Sequence, residues 1–144
     1  MTRDQVQLVR ASLPKILQIR TQVAALFYAR LFQTAPQLRA VFPEDVAARD
    51  AEVISAIKFV VRGLDRLRSI IPVVQELARR HAAEGVQDEH YDVVGEALIW
   101  TLETTLGGAF TANVRRAWIE GYGMIAEAMI AAAHRAPERA LRAA

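Results

Sequence analysis

The side chains best suited to hold a metal or pass a proton near neutral pH are three histidines, His81, His90 and His134. No two of them stand four residues apart, and no carboxylates join them in a zinc-like spacing, so a multi-ligand metal site is not expected. The chain has no cysteine, which removes disulfides, thiolate catalysis, thiolate-held zinc and iron–sulfur clusters. Taken singly, each histidine reads as a surface residue or a hydrogen-bonded structural one. His81 differs in its context. Val74 and Leu77 precede it at helical spacing, which puts it on the apolar, inward face of its helix. A neutral imidazole there, with no carboxylate paired to it in its own helix, suits an axial haem ligand. One nitrogen can face iron while the other donates a hydrogen bond that sets the tautomer.

The elements that must position His81 are helical throughout; no strand alternation or internal repeat is present. Thr2 and Gln5 form a capping-box pattern opening a first helix with Val6, Val9, Leu13 and Leu17, which Pro14 is expected to disturb. A second helix carries Val23, Leu26, Phe27, Leu31 and Phe32 and ends before Pro36, followed by a short turn through Val41-Phe42-Pro43. Glu44 to Asp50 reads as a polar loop leading into a helix with Val53, Ile57, Val60, Val61 and Leu64 on one face. The His81 helix is expected to start near Pro72 and end about Ala83, with Gly85 as its C-terminal cap. Two long helices complete the chain, from about Glu89 to Leu106 and from a Thr111 cap to about His134, with 137–144 as a frayed tail. The expectation is one all-α domain, a folded-over arrangement of six or more helices over 1–136.

With 144 residues, 53% of them hydrophobic, the chain can bury a real core. Its 18 basic and 16 acidic residues leave a formal charge of +2 and are interspersed, so they read as solvated helix faces and nucleic acid is not an expected partner. Charges interrupt every apolar stretch, so no membrane span is expected, and Met1 to Gln5 lacks a signal-like apolar run, which makes the cytoplasm the expected location.

Several segments carry a family likeness. The run Arg80-His81-Ala82-Ala83-Glu84-Gly85-Val86, with His90-Tyr91-Asp92-Val93-Val94-Gly95, resembles the proximal region of single-domain bacterial haemoglobins of the Vitreoscilla type. It is similar also to the globin domain of flavohaemoglobins. Leu26 to Phe32, Val41-Phe42, Ala117-Trp118 and Tyr122-Gly123 extend the likeness over nearly the whole chain. The resemblance implies a globin fold of about six to eight helices around one b-type haem. It implies His81 as the iron ligand, Phe42 packed on the porphyrin, and Tyr28 over the sixth coordination position; a core tyrosine bonded to a backbone partner is the plain alternative for Tyr28. Counting back from Pro72 and His81, Arg49 takes a distal position usually held by Gln or His, with Val53 and Ile57 along the same face. An arginine there can hold a propionate, swing inward toward an anionic ligand, or point to solvent. The cost of burying an unpaired charge favours the propionate and solvent roles.

Two further positions complete the implied site. Tyr91 matches a tyrosine that supports the proximal histidine, but the glutamate of flavohaemoglobins is replaced by Ala133, beside His134. The second nitrogen of His81 would then donate to a backbone carbonyl or water, favouring reversible oxygen binding over O–O cleavage. Arg80, Val86, Val94, Leu98 and Met129 are the remaining pocket candidates, while Trp100 and Trp118 read as packing residues. The implied function is reversible binding, storage or delivery of oxygen or another diatomic gas. Nitric-oxide dioxygenation with a separate electron-donating reductase is the alternative, and a haem-based gas sensor a third.

Overall fold

Apolar residues at helical spacing become helices wherever they can be buried together. The computed structural model describes residues 1–143, with side chains described through His134. Among these residues there are six α-helices, two 3-10 turns and no strand. The helices are α1 (Arg3–Gln18), α2 (Arg20–Thr34), α3 (Val46–Gly63), α4 (Leu67–Ala83), α5 (Asp88–Leu106) and α6 (Ala112–Ala143), with 3-10 turns at Pro36–Val41 and Gly107–Ala109. The side chains of the expected tail, 137–144, lie outside those described.

Local signals set several boundaries. Thr2 and Gln5 form the anticipated capping box, with bonds of 3.1 and 2.9 Å. The Thr111 hydroxyl caps α6 by accepting from the Val114 N–H at 3.3 Å. His90 is a capping residue too: its Nδ1 accepts from the Gln87 N–H at 2.9 Å.

Three expectations need correction. Pro14 does not break α1, which runs through it. Proline removes one main-chain bond, but Val9, Ser12 and Ile16 are buried on either side of it, and that burial holds the helix together. Likewise α4 starts at Leu67, well before Pro72, which lies exposed inside the helix. The segment Glu44 to Asp50 is only partly a loop. The Asp45 carboxylate accepts from the Ala48 N–H at 3.0 Å and starts α3 at Val46, so Arg49 projects from a helix.

The core is built largely by α6 and α5. α6 packs on α4, α1 and α5, while α5 packs on α2. Trp118 is fully buried, and its indole N–H donates to the Ser12 hydroxyl at 3.2 Å, which itself donates to the Leu8 carbonyl at 2.9 Å. Gly95 leaves room for the Tyr122 ring, whose hydroxyl reaches one turn along α5 to the Tyr91 carbonyl at 2.5 Å. A Cβ at Gly95 would collide with that ring.

α3 and α4 are arranged differently. They approach near their junction, where Gly63 faces Ile70, but they are not a packed pair: α3 rests chiefly on α1 and α2, and α4 on α6. Their facing surfaces further along, with Glu52 on α3 and His81 on α4, form the two sides of the candidate site. Among the described residues no helix is long and apolar enough to cross a membrane.

Candidate functional site

One side of the site is the C-terminal end of α4. The Val86 N–H donates to the His81 carbonyl at 2.9 Å and the Gly85 N–H to the Ala82 carbonyl at 3.1 Å. With Gly85 at φ 96°, these bonds form a Schellman cap. The cap fixes the helix end, and with it the direction of His81, which is half-buried. His81 Nδ1 lies 2.6 Å from the Leu77 carbonyl oxygen. A carbonyl can only accept, so Nδ1 carries the proton, and in the neutral imidazole Nε2 then keeps its lone pair. This is the tautomer a metal ligand requires.

Among the described residues no glutamate of α6 forms a hydrogen bond or ion pair with His81, and Ala133 is half-buried. Tyr91 is half-buried, and among the described residues no hydrogen bond joins its hydroxyl to His81. What Tyr91 contributes is its carbonyl, which receives the Tyr122 hydroxyl and ties α5 to α6. Arg80 is not brought in: it is exposed, with Nε 3.4 Å from Glu76. Glu52 of α3 is a residue that spacing alone did not single out. Burial raises its carboxyl above the ordinary range, with Glu84 pushing the same way and His81 opposing. It therefore lies opposite the end of α4.

The other side joins α2, the 3-10 turn and α3. Tyr28, 4% exposed, stands 5.1 Å from Phe27, 5.6 Å from Phe32 and 5.4 Å from Phe42, centroid to centroid. Phe32 and Phe42 are themselves 5.9 Å apart. Phe32 was missed as a site residue, although it lies one turn beyond Tyr28 on the same face of α2. The Tyr28 hydroxyl donates to the Arg49 carbonyl at 2.6 Å. Burial holds this hydroxyl well above the ordinary tyrosine range, reinforced by Glu52 and opposed by Arg49, so Tyr28 is a neutral donor.

Arg49 itself turns inward. Its guanidinium carbon is 5.3 Å from the Tyr28 ring and 5.5 Å from the Phe32 ring, and its Nε is buried without a hydrogen-bond partner. Arg49 as a whole is half-buried, and stacking on two aromatic faces offsets part of the desolvation cost of the enclosed Nε. Val53, Ile57, Leu98 and Met129 are buried, and Val86 and Val94 half-buried, so apolar candidates from α3, α5 and α6 belong to one continuous core.

The site is thus a helical, single-imidazole site between two walls, with an aromatic cluster on one side. Among the described residues no group of three or more histidines or carboxylates could hold a metal unaided. The family model for the globins matches residues 25–129, and the chain belongs to the globin family. It is 30% identical over 128 residues to a flavohemoprotein of Bacillus subtilis, covering 87% of this chain and 32% of the relative. A flavohemoprotein of Chromobacterium violaceum is 29% identical, over 85% of this chain and 31% of that protein. The chain spans about a third of the length of these curated relatives.

Solved structures agree on the fold. A bacterial globin from Campylobacter jejuni superposes with a TM-score of 0.84 at 22% identity, over 95% of this chain and 99% of that one. An engineered carbene transferase from Rhodothermus marinus, derived from a candidate nitric oxide dioxygenase, gives 0.82 at 27% identity, over 100% and 99% of the two chains.

Haem is the cofactor that the globin family implies, and the residues fit it. His81 Nε2 makes no hydrogen bond among the described residues, no group of three or more potential ligands is found among them, and an orphaned donor, Arg49 Nε, is buried on the α3 side.

Proposed function

We propose that this chain reversibly binds oxygen or another diatomic gas, using a b-type haem held through His81. The observation that carries the reading is the His81 tautomer: Nδ1–H given to Leu77 leaves Nε2 for iron. When bound, haem would supply a ferrous iron able to take up a diatomic gas. The chain's own residues do the rest. His81 anchors from α4, Phe42 and the buried Val53 and Ile57 furnish apolar surface, and Tyr28 presents a neutral hydroxyl that can exchange the Arg49 carbonyl for a gas ligand carrying partial negative charge. Because Nδ1 donates to a neutral carbonyl, the imidazole has little anionic character, which favours binding over O–O cleavage.

Nitric-oxide dioxygenation with a separate reductase is the second reading. Its support is the likeness to flavohemoproteins and to the Rhodothermus marinus protein. Two measurements test the readings, and the second separates them. Absorption spectra after expression with haem supply should show a Soret band that responds to oxygen; absence of that band defeats both. Sustained NO consumption with added reductase would favour the dioxygenase, while a single stoichiometric turnover would favour the carrier.

A further inference from the structure

An open groove of about 510 Å³ runs between α5 and α6, and every residue lining it belongs to those two helices. Its floor is apolar: Ile99, Trp100, Tyr122 and Ile130 are half-buried, and Ile119 is 43% exposed. On α6, Ile119, Tyr122, Ala126 and Ile130 follow one another at three- and four-residue spacing, a stripe that carries apolar surface out to solvent. A Cβ added at Gly123 would meet nothing within 4 Å, so the floor is open there.

The rim is acidic. Asp92, Glu96, Glu103 and Glu127 border the groove against one cation, Arg115. The chain as a whole has a formal charge of +2, so this face is charged against the sign of the protein. Among the described residues Asp92 and Glu127 form no ion pair, and Arg115 approaches Glu103 only to 3.8 Å. Arg30, reaching across from α2, shows what such a face can hold. Its guanidinium carbon lies 5.1 Å from the Trp100 ring centre, and it donates to the Glu96 carboxylate at 2.6 Å. A carboxylate beside an aromatic face holds arginine by charge, hydrogen bond and stacking together. The same rim repels phosphates, which disfavours nucleic acid and anionic lipid. A second copy docked face to face would set these carboxylates against their own counterparts.

We propose that the groove between α5 and α6 docks a basic amphipathic helix of a partner protein. Its apolar side chains lie on the floor, and its arginines or lysines meet the rim. The lining runs from Asp92 to Glu103 on α5 and from Arg115 to Ile130 on α6. That is about 16 Å along α5 and about 22 Å along α6, three to four helical turns. A helix of that length presents apolar anchors one turn apart along a single face. The elongated shape favours a helix over a compact organic cation, which would fill only one end. The proposal concerns a surface apart from the haem reading and stands without it.

The test is fluorescence anisotropy of a labelled synthetic peptide titrated with the full chain. The probe has about 15 residues, with leucine at i, i+3 and i+7 and arginine on the opposite face. Its controls are a scrambled peptide of the same composition and one with glutamate in place of arginine. The patterned peptide should bind saturably, and both controls about tenfold more weakly or worse. Gly123→Leu, which places a side chain in the open floor, should weaken patterned binding about fivefold or more, as should Glu103→Gln combined with Glu127→Gln. Equal binding of patterned and scrambled peptides overturns the proposal. So does unchanged affinity in either variant that stays helical by circular dichroism. Sedimentation of the chain alone as a dimer that Ile119→Asp dissociates would assign the groove to a second copy, and also overturn it.

Discussion

The two sides of the site are built by different means. On the α4 side, the bonds that orient His81 fall within ten residues, from the Leu77 carbonyl to the Val86 N–H. All of them are local, and all are satisfied. On the α3 side, three separated segments meet: Tyr28 from α2, Phe42 from the end of the 3-10 turn, and Arg49 from α3. The principal polar bond there joins residues 21 apart, and one buried donor is left over. The first side behaves as a rigid anchor. The second holds unspent hydrogen-bonding capacity, which is what a wall facing an exchangeable ligand needs.

The sharpest way to break this comparison is His81→Ala. It should remove axial ligation and abolish or displace the Soret band, while far-ultraviolet circular dichroism stays helical, since the cap at Gly85 uses main-chain groups. An unaltered Soret band would show that the anchor lies elsewhere.

Tyr28→Phe comes next. A hydrogen bond to a charged or strongly polarised group is worth about 1.5–3 kcal/mol, so oxygen release should accelerate about tenfold to a hundredfold. Because burial raises the Tyr28 hydroxyl above its ordinary value, wild-type release should be independent of pH from neutrality up to about pH 10, where an ordinary tyrosine would ionise. Stopped-flow release rates check both points, and an unchanged rate in the variant would remove Tyr28 from the ligand side.

Gly85→Ala tests the rigidity of the anchor. A side chain at φ 96° costs on the order of 1–3 kcal/mol, readable as a lower urea midpoint together with faster haem loss. The smallest effect is expected from Asp45→Ala, which removes the α3 cap at about 1 kcal/mol. It should disturb gas release through Arg49 and Tyr28 while haem retention stays near wild type. Equal disturbance of both readouts would mean that the two sides are mechanically one.

Most of the helical architecture was legible in the sequence. Apolar spacing, the Thr2 and Thr111 caps and Gly85 each act over three to five residues, the range over which helical hydrogen bonds form. Where that reading failed, at Pro14, Pro72 and the start of α3, local propensity was overridden. Burial of Val9, Ser12 and Ile16 carried α1 through its proline, and the Asp45 cap was hidden within a polar run.

The chain alone also placed His81 on the apolar face of its helix, excluded a competing thiolate, and set Gly85 as the cap just beyond the helix's end at Ala83. Only the tertiary structure decided that Nδ1 donates to Leu77, that Tyr28 bonds across to the Arg49 carbonyl, that Arg49 turns onto Tyr28 and Phe32, and that Glu52 faces the end of α4. Periodicity specifies which face of a helix is buried. The partner that a buried polar group meets depends on how separate helices cross, and that is settled by packing the whole core.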